Sequence, residues 1–263
     1  MLNLPSLKTF YRRMGGTKIV FLISCVALVA QVLPRNAYFE AWRAQAGQQT
    51  AAHIQLKLTD TDRTDVDYFV YVPENYSSAT KWPLLLFLHG AEERGADIKQ
   101  VLTAGPPAYL ARGKRLPMIV VSPQCHAGKA WSSQTLLALL DHLTAKYSLD
   151  TDRVFVSGYS LGAYGCWNLA CAAPDRFAAI VPVAGGGNAE LASRLTKLPI
   201  WAFHGARDKT VPVEASQRMI EAIRDQGGAP QLTVYEDESH ATANSAFFRD
   251  DLYAWLLEQH RVR

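Results

Sequence analysis

The pentapeptide Gly158-Tyr159-Ser160-Leu161-Gly162 constrains this chain more than any other stretch. An apolar run, Val154-Phe155-Val156, precedes it. After it Ala163, Tyr164, Cys166, Trp167, Leu169 and Ala170 recur at helical spacing. A strand that turns straight into a helix leaves almost no room beside the serine, because a Cβ at either flank would meet strand or helix backbone. The serine is thereby lifted out at the strand's carboxyl end. The first backbone N–H of the helix, that of Leu161, then faces any negative charge that forms beside it.

A serine hydroxyl is a poor nucleophile at neutral pH, so a base must take its proton as it attacks. Two later loops supply the partners. Pro199-Ile200-Trp201-Ala202-Phe203 reads as a buried strand, and His204-Gly205-Ala206-Arg207-Asp208 follows it. A helix with apolar positions at Met219, Ile220 and Ile223 comes next, closed by Gly227-Gly228. Leu232-Thr233-Val234-Tyr235 is another strand, and its loop ends at His240. A final helix is expected from about 246 to about 258. The chain order Ser160, Asp208, His240 resembles that of α/β-hydrolases, which implies His240 as the base and later the acid toward the leaving group. Asp208 fixes its tautomer and stabilises the imidazolium. His204 comes too early in this order and reads as structural. Asp237 shares a short loop with His240, which makes bridging to that imidazole awkward, and Asp175 reads as a turn residue.

The strand Pro83-Leu84-Leu85-Leu86-Phe87-Leu88 is almost purely apolar, as expected where both faces are covered. It ends in His89-Gly90-Ala91. The expected oxyanion donors are the N–H groups of Leu161 and Ala91, with Gly90 allowing close approach of the backbone. Glu92, Trp131 and Tyr159 are the expected substrate contacts. Glu92 sets bulk and charge beside the oxyanion loop, and Trp131 follows the flexible Ala127-Gly128-Lys129.

These segments resemble a known family. Leu86 to Gly95 is similar to the "LFLHGAGERG" signature of phospholipase/carboxylesterase-like serine esterases, also described as predicted peptidases or dienelactone-hydrolase-like proteins. Ser122 to Cys125 matches "SPQC", and Asp152 to Gly162 resembles "DRIYVTGLSMGG". Pro174 to Ile180 matches "PDRFAAI", and Trp201 to Asp208 resembles "WxFHGxxD". The resemblance covers roughly residues 66 to 258. It implies an α/β-hydrolase fold, a mostly parallel central sheet with helices on both faces, and Ser160, Asp208 and His240 as a triad. It implies cleavage of carboxylic esters through an acyl-serine, with no metal or organic cofactor. Peptide or amide cleavage on the same triad is the alternative within catalysis, and a silent hydrolase-fold binding protein the alternative outside it. Three positions depart from the pattern: Ala163 where glycine is common, Ala243 where the histidine loop often carries tryptophan, and Glu92 where glycine is usual.

Length and charge agree with this reading. The 263 residues, 49% of them apolar, suffice for one substantial core. Residues 51–263 are expected to form the catalytic domain and 31–50 a linker. The formal charge of +3 suggests no nucleic-acid partner. A small-molecule ester is the expected partner, and nothing bears on oligomeric state. Residues 1–30 stand apart. Lys8, Arg12, Arg13 and Lys18 precede an apolar run from Ile19 to Ala30, and no acid occurs before Glu40. This is the pattern of an export signal. The run is short for a membrane span. Cleavage after Ala30, lipidation at Cys25 within Leu22-Ile23-Ser24-Cys25, and retention as an anchor remain open, as does membrane association through this segment. The expected location is periplasmic or extracellular. Beyond the leader, Cys125, Cys166 and Cys171 are odd in number, and Cys166 and Cys171 are badly spaced for a bridge on one helix. They read as buried small hydrophobes. No metal-ligand spacing is present.

Overall fold

The computed structural model describes residues 46–261. The proposed leader, and most of the proposed linker, lie outside the described residues. Eight strands form one sheet in the order β1-β2-β4-β3-β5-β6-β7-β8. They are β1 (Gln49–Lys57), β2 (Arg63–Tyr71), β3 (Trp82–Leu88), β4 (Ile119–Pro123), β5 (Leu149–Tyr159), β6 (Ala179–Val183), β7 (Trp201–Gly205) and β8 (Gln231–Tyr235). β1 pairs antiparallel with β2, and β2 antiparallel with β4; every other pairing is parallel. β1 therefore begins within the last residues expected to be linker.

Alternation along the central strands explains the three layers. In β3, Leu84, Leu86 and Leu88 join one buried cluster while Leu85 and Phe87 join the other. β5 divides likewise, with Val154 and Val156 on one face and Phe155 on the opposite one. This period of two places successive side chains on opposite faces, so both faces need a cover. The first face is covered by α2 (Ser133–Lys146), α3 (Leu161–Ala172) and α4 (Glu214–Asp225), through residues such as Leu139, Trp167 and Ile220. α1 (Gly105–Ala111), α5 (Ala243–Phe247) and α6 (Asp250–Glu258) cover the second, through Tyr109, Phe247 and Leu256. Trp167 is fully buried. Burying a large apolar side chain contributes roughly 1.5–3 kcal/mol, so these contacts supply much of what fixes α3 behind Ser160.

The final helix differs from expectation. It is two helices, because Arg249 is extended at φ −113°, ψ 128° and caps α6. The Arg249 guanidinium is held there by Asp251 and by the Tyr235 hydroxyl at 3.2 Å. Cys125, Cys166 and Cys171 are free and buried. Burial raises the Cys166 thiol well above its ordinary range. Among the described residues no helix is long and apolar enough to cross a membrane.

Candidate active site

The serine turn follows from steric necessity. A Cβ on Gly158 would lie 2.1 Å from the Gly162 carbonyl oxygen, and one on Gly162 would lie 1.8 Å from the Leu88 carbonyl oxygen. Both distances are impossible, so the two glycines are what allow β5 to enter α3 within one residue. Ser160 takes the bend itself, at φ 54° and ψ −115°, a region that costs a residue with a Cβ about 1–3 kcal/mol. Its amide donates to the Val183 carbonyl at 2.9 Å, and its carbonyl accepts from the amides of Ala163 and Tyr164. The strain is thus held by the neighbouring strand and the first helical turn.

The acid and histidine loops leave adjacent strands side by side. β7 and β8 are in register to Gly205 opposite Tyr235. A Cβ on Gly205 would lie 2.4 Å from the Ser239 carbonyl oxygen, so glycine lets the histidine loop close over the acid loop. The Ala206 amide donates to Tyr235 O at 2.9 Å and the Arg207 amide to Glu238 O at 2.8 Å. The Asp208 side chain is fully buried. Its Oδ1 accepts from the amides of Thr210 at 2.8 Å and Val211 at 2.9 Å. Its Oδ2 lies 2.7 Å from His240 Nδ1, and His240 Nε2 lies 2.8 Å from Ser160 Oγ. Burial alone would raise the Asp208 carboxyl, but the hydrogen bonds from His240, Val211 and Thr210 outweigh it and hold the group below its ordinary value. The ionised carboxylate can only accept, so His240 carries its proton on Nδ1 and offers a lone pair on Nε2 to the serine hydroxyl.

The structure therefore brings Ser160, Asp208 and His240 into one hydrogen-bonded line. Asp237 is elsewhere: its exposed carboxylate pairs with Arg207. Leu161 opens α3, and a Cβ on Gly162 would lie 1.8 Å from the Leu88 carbonyl oxygen and 2.7 Å from that of His89, so the end of β3 and the start of α3 pass close together. The loop after β3 is pinned from behind. The Gln124 side-chain amide donates to Glu93 O at 2.7 Å and Gly95 O at 3.2 Å. His89 Nε2 accepts from the Cys125 amide at 3.0 Å, which leaves Nδ1–H to donate to Gly90 O at 2.7 Å. Burial lowers the His89 imidazole, in keeping with this neutral form.

The expected substrate contacts fall in different places. Glu92 is exposed, while its neighbour Glu93 is buried with its Oε2 unpartnered. That oxygen is 3.0 Å from where a Gly90 Cβ would stand. Tyr159 donates its hydroxyl to the His240 carbonyl at 2.8 Å and lays its ring 5.3 Å from the imidazole. Burial pushes the Tyr159 hydroxyl up to about 12, so it remains a donor. Trp131 donates its indole N–H to His89 O at 3.2 Å and packs edge-on against that ring. It also lines a cavity of about 230 Å³ with Gln124, Cys125 and Asp65, to which Ser160, Asp208 and His240 do not contribute. The supporting part played by Gln124 and the burial of Glu93 were missed in the sequence, and Tyr159, expected as a substrate contact, also holds the histidine loop. The only written signal was their place in the "GAEERG", "SPQC" and G-x-S-x-G runs.

Comparison with known proteins gives a consistent picture. Residues 121–251 match the model of the dienelactone hydrolase family. The chain is 26% identical over 200 residues to a bifunctional acetylxylan esterase/xylanase of Neocallimastix patriciarum, covering 72% of this chain and 28% of that protein. It is 22% identical to feruloyl esterase D of Neurospora crassa, covering 81% of this chain and 76% of that one. A solved structure of a thermostable esterase superposes with a TM-score of 0.70 at 27% identity, covering 81% of this chain and 63% of the other. The chain thus spans well under half of the bifunctional relative and just under two thirds of the solved esterase. By its sheet, its serine turn and these likenesses, the chain has the fold of the α/β-hydrolase esterases and is similar to the dienelactone hydrolase family over 121–251.

Proposed function

We propose that this chain hydrolyses carboxylic esters through an acyl-serine intermediate, with Ser160 as nucleophile, His240 as base and acid, and Asp208 as the orienting carboxylate. The observation that carries the reading is the continuous line of two short hydrogen bonds, 2.8 Å from Ser160 Oγ to His240 Nε2 and 2.7 Å from His240 Nδ1 to Asp208 Oδ2. Ser160 Oγ attacks the ester carbonyl carbon as its proton passes to His240 Nε2. The resulting imidazolium is stabilised by the Asp208 carboxylate, and the oxyanion is met by the Leu161 and Ala91 amides. Collapse expels the alkoxide, which takes the proton from Nε2. Water then repeats the sequence on the acyl-enzyme, giving the acid and restoring Ser160.

The substrate is a small-molecule ester or an ester-linked acyl group on a larger carrier. The relatives' names make acetylated xylan and feruloyl esters the first substrates to assay. Export by the basic and apolar leader belongs to the same proposal. The experiment is labelling with a fluorophosphonate probe alongside p-nitrophenyl ester turnover. The parent chain labels once, at Ser160, and Ser160→Ala neither labels nor turns over above the residual of about 10³-fold over water that an oxyanion hole alone supports. Retention of more than about a tenth of the activity by Ser160→Ala defeats the assignment.

A further inference from the structure

We infer that His204 is a positioning residue for catalysis, acting through Val211 and Asp208 on the orientation of His240. This rests on the reading of Asp208 as the orienting acid. His204 stands at the end of β7 with its side chain fully buried. Its Nε2 lies 2.9 Å from the Val211 carbonyl and 3.3 Å from Asp208 Oδ2. Both neighbours can only accept, so the proton is on Nε2. Nδ1 lies 2.7 Å from Ser216 Oγ, and that oxygen is 2.8 Å from Gly185 O. Ser216 is itself fully buried.

Two features raise this above packing. First, Val211 is held from both sides. Its carbonyl accepts from His204, and its amide donates to Asp208 Oδ1. The clamp fixes one carboxylate oxygen and leaves Oδ2 to face His240. Secondly, the positive edge of the His204 N–H stands 3.3 Å from that same Oδ2, which also accepts from His240. A carboxylate whose two oxygens are held independently cannot rotate away from the imidazole. Ser216, bonded to Gly185, anchors the far side of the ring. A Cβ on Gly185 would lie 3.0 Å from Ser160 O, so the network ends beside the nucleophile turn.

Two substitutions separate the roles of the ring nitrogens. His204→Gln places an amide donor near Nε2 and keeps the hold on Val211 and Asp208. His204→Asn reaches only the Nδ1 position, toward Ser216. The expected result is kcat within about threefold of the parent for His204→Gln, and a fall of about 10- to 100-fold for His204→Asn with KM unchanged, the scale set by a misplaced catalytic group. In an Asp208→Asn background the His204→Asn loss disappears, because the group it positions is gone. Equal losses for Gln and Asn, or losses that multiply in the double variant, overturn the inference. A negligible effect of Asp208→Asn alone would instead overturn the proposed triad. Should His204→Asn not fold, nitrogen NMR of the parent chain decides. The His204 Nε2 resonance must shift when a phosphonate adduct on Ser160 charges His240, and an unmoved resonance overturns the inference.

Discussion

Replacing Ser160 by glycine should make the protein more stable than replacing it by alanine, although both changes remove the same hydroxyl. Each variant loses the bond to His240 Nε2, so that term cancels between them. What differs is the backbone. Ser160 sits at φ 54° and ψ −115°, where alanine keeps a strain of about 1–3 kcal/mol and glycine has none. Against this, glycine frees the unfolded chain and costs about 0.4–1 kcal/mol. The net advantage of glycine spans about 0–2.6 kcal/mol and centres near 1.3 kcal/mol. In a domain of this size each kcal/mol moves Tm by about 2–4 °C, so at the centre of that range the two variants should differ by about 3–5 °C. Calorimetry on the pair, with both checked for loss of ester turnover, makes the measurement. A Ser160→Gly variant that melts at or below Ser160→Ala would refute the claim that the turn stores strain.

Three further outcomes are expected. Tyr159→Phe removes the donor to the His240 carbonyl. At about 0.5–1.5 kcal/mol for such a bond, kcat should fall by up to about tenfold, and an increase would count against Tyr159 bracing the histidine loop. Asp237→Asn should leave kcat within about twofold, since its carboxylate is exposed and engaged with Arg207; steady-state kinetics beside Asp208→Asn provides the comparison. Glu93→Gln should gain stability relative to the parent as pH rises. Burial raises the Glu93 carboxyl in the folded chain, so the folded state holds that proton more tightly than the unfolded one. Parent stability then falls as pH climbs from the ordinary carboxylate range, about 4, through the raised value. Melting curves across pH 4 to 8 should show the Tm difference growing and then levelling.

The legible parts of this protein are those in which a residue type answers to one local requirement. Gly158 and Gly162 could be read because nothing else fits between β5 and α3, and the clashes at 2.1 and 1.8 Å give the reason. The two-faced burial of β3 could be read from its unbroken apolar run. The order of Ser160, Asp208 and His240 followed from placing each after a strand. The break at Arg249 was not legible, because the residue is extended there and its side chain engages Tyr235 at the end of β8, neither of which helical periodicity carries. Tyr159 and Glu92 show the same limit at the site. Sequence places them beside Ser160 and in the loop after β3, but the direction of a side chain is set by its neighbours. Tyr159 turns to the His240 carbonyl, and Glu93 rather than Glu92 turns inward. Gly205 carried a signal that went unused: glycine directly after a buried strand marks a close crossing, here by the histidine loop.

The buried polar side chains extend this point to the division between folding and chemistry. Among the described residues, those buried are Thr50, His89, Glu93, Ser122, Gln124, Ser157, His204, Asp208, Ser216 and Thr242. All but Thr50 and Ser157 lie at the carboxyl ends of the parallel strands or in the segments that follow. Burying a polar group is unfavourable unless it is hydrogen-bonded, and a sheet could be stabilised more simply with apolar residues. Their concentration at one edge therefore marks where backbone must be held in arrangements that regular ladders cannot supply. Gln124 holds the loop after β3, His89 ties that loop to Cys125, and Thr242 closes the turn after His240 by donating to Ser239 O at 3.0 Å. Isosteric changes in this set should shift kcat before they shift stability. Truncations in the apolar clusters, such as Leu86→Ala, should act in the opposite order, at about 2–5 kcal/mol each.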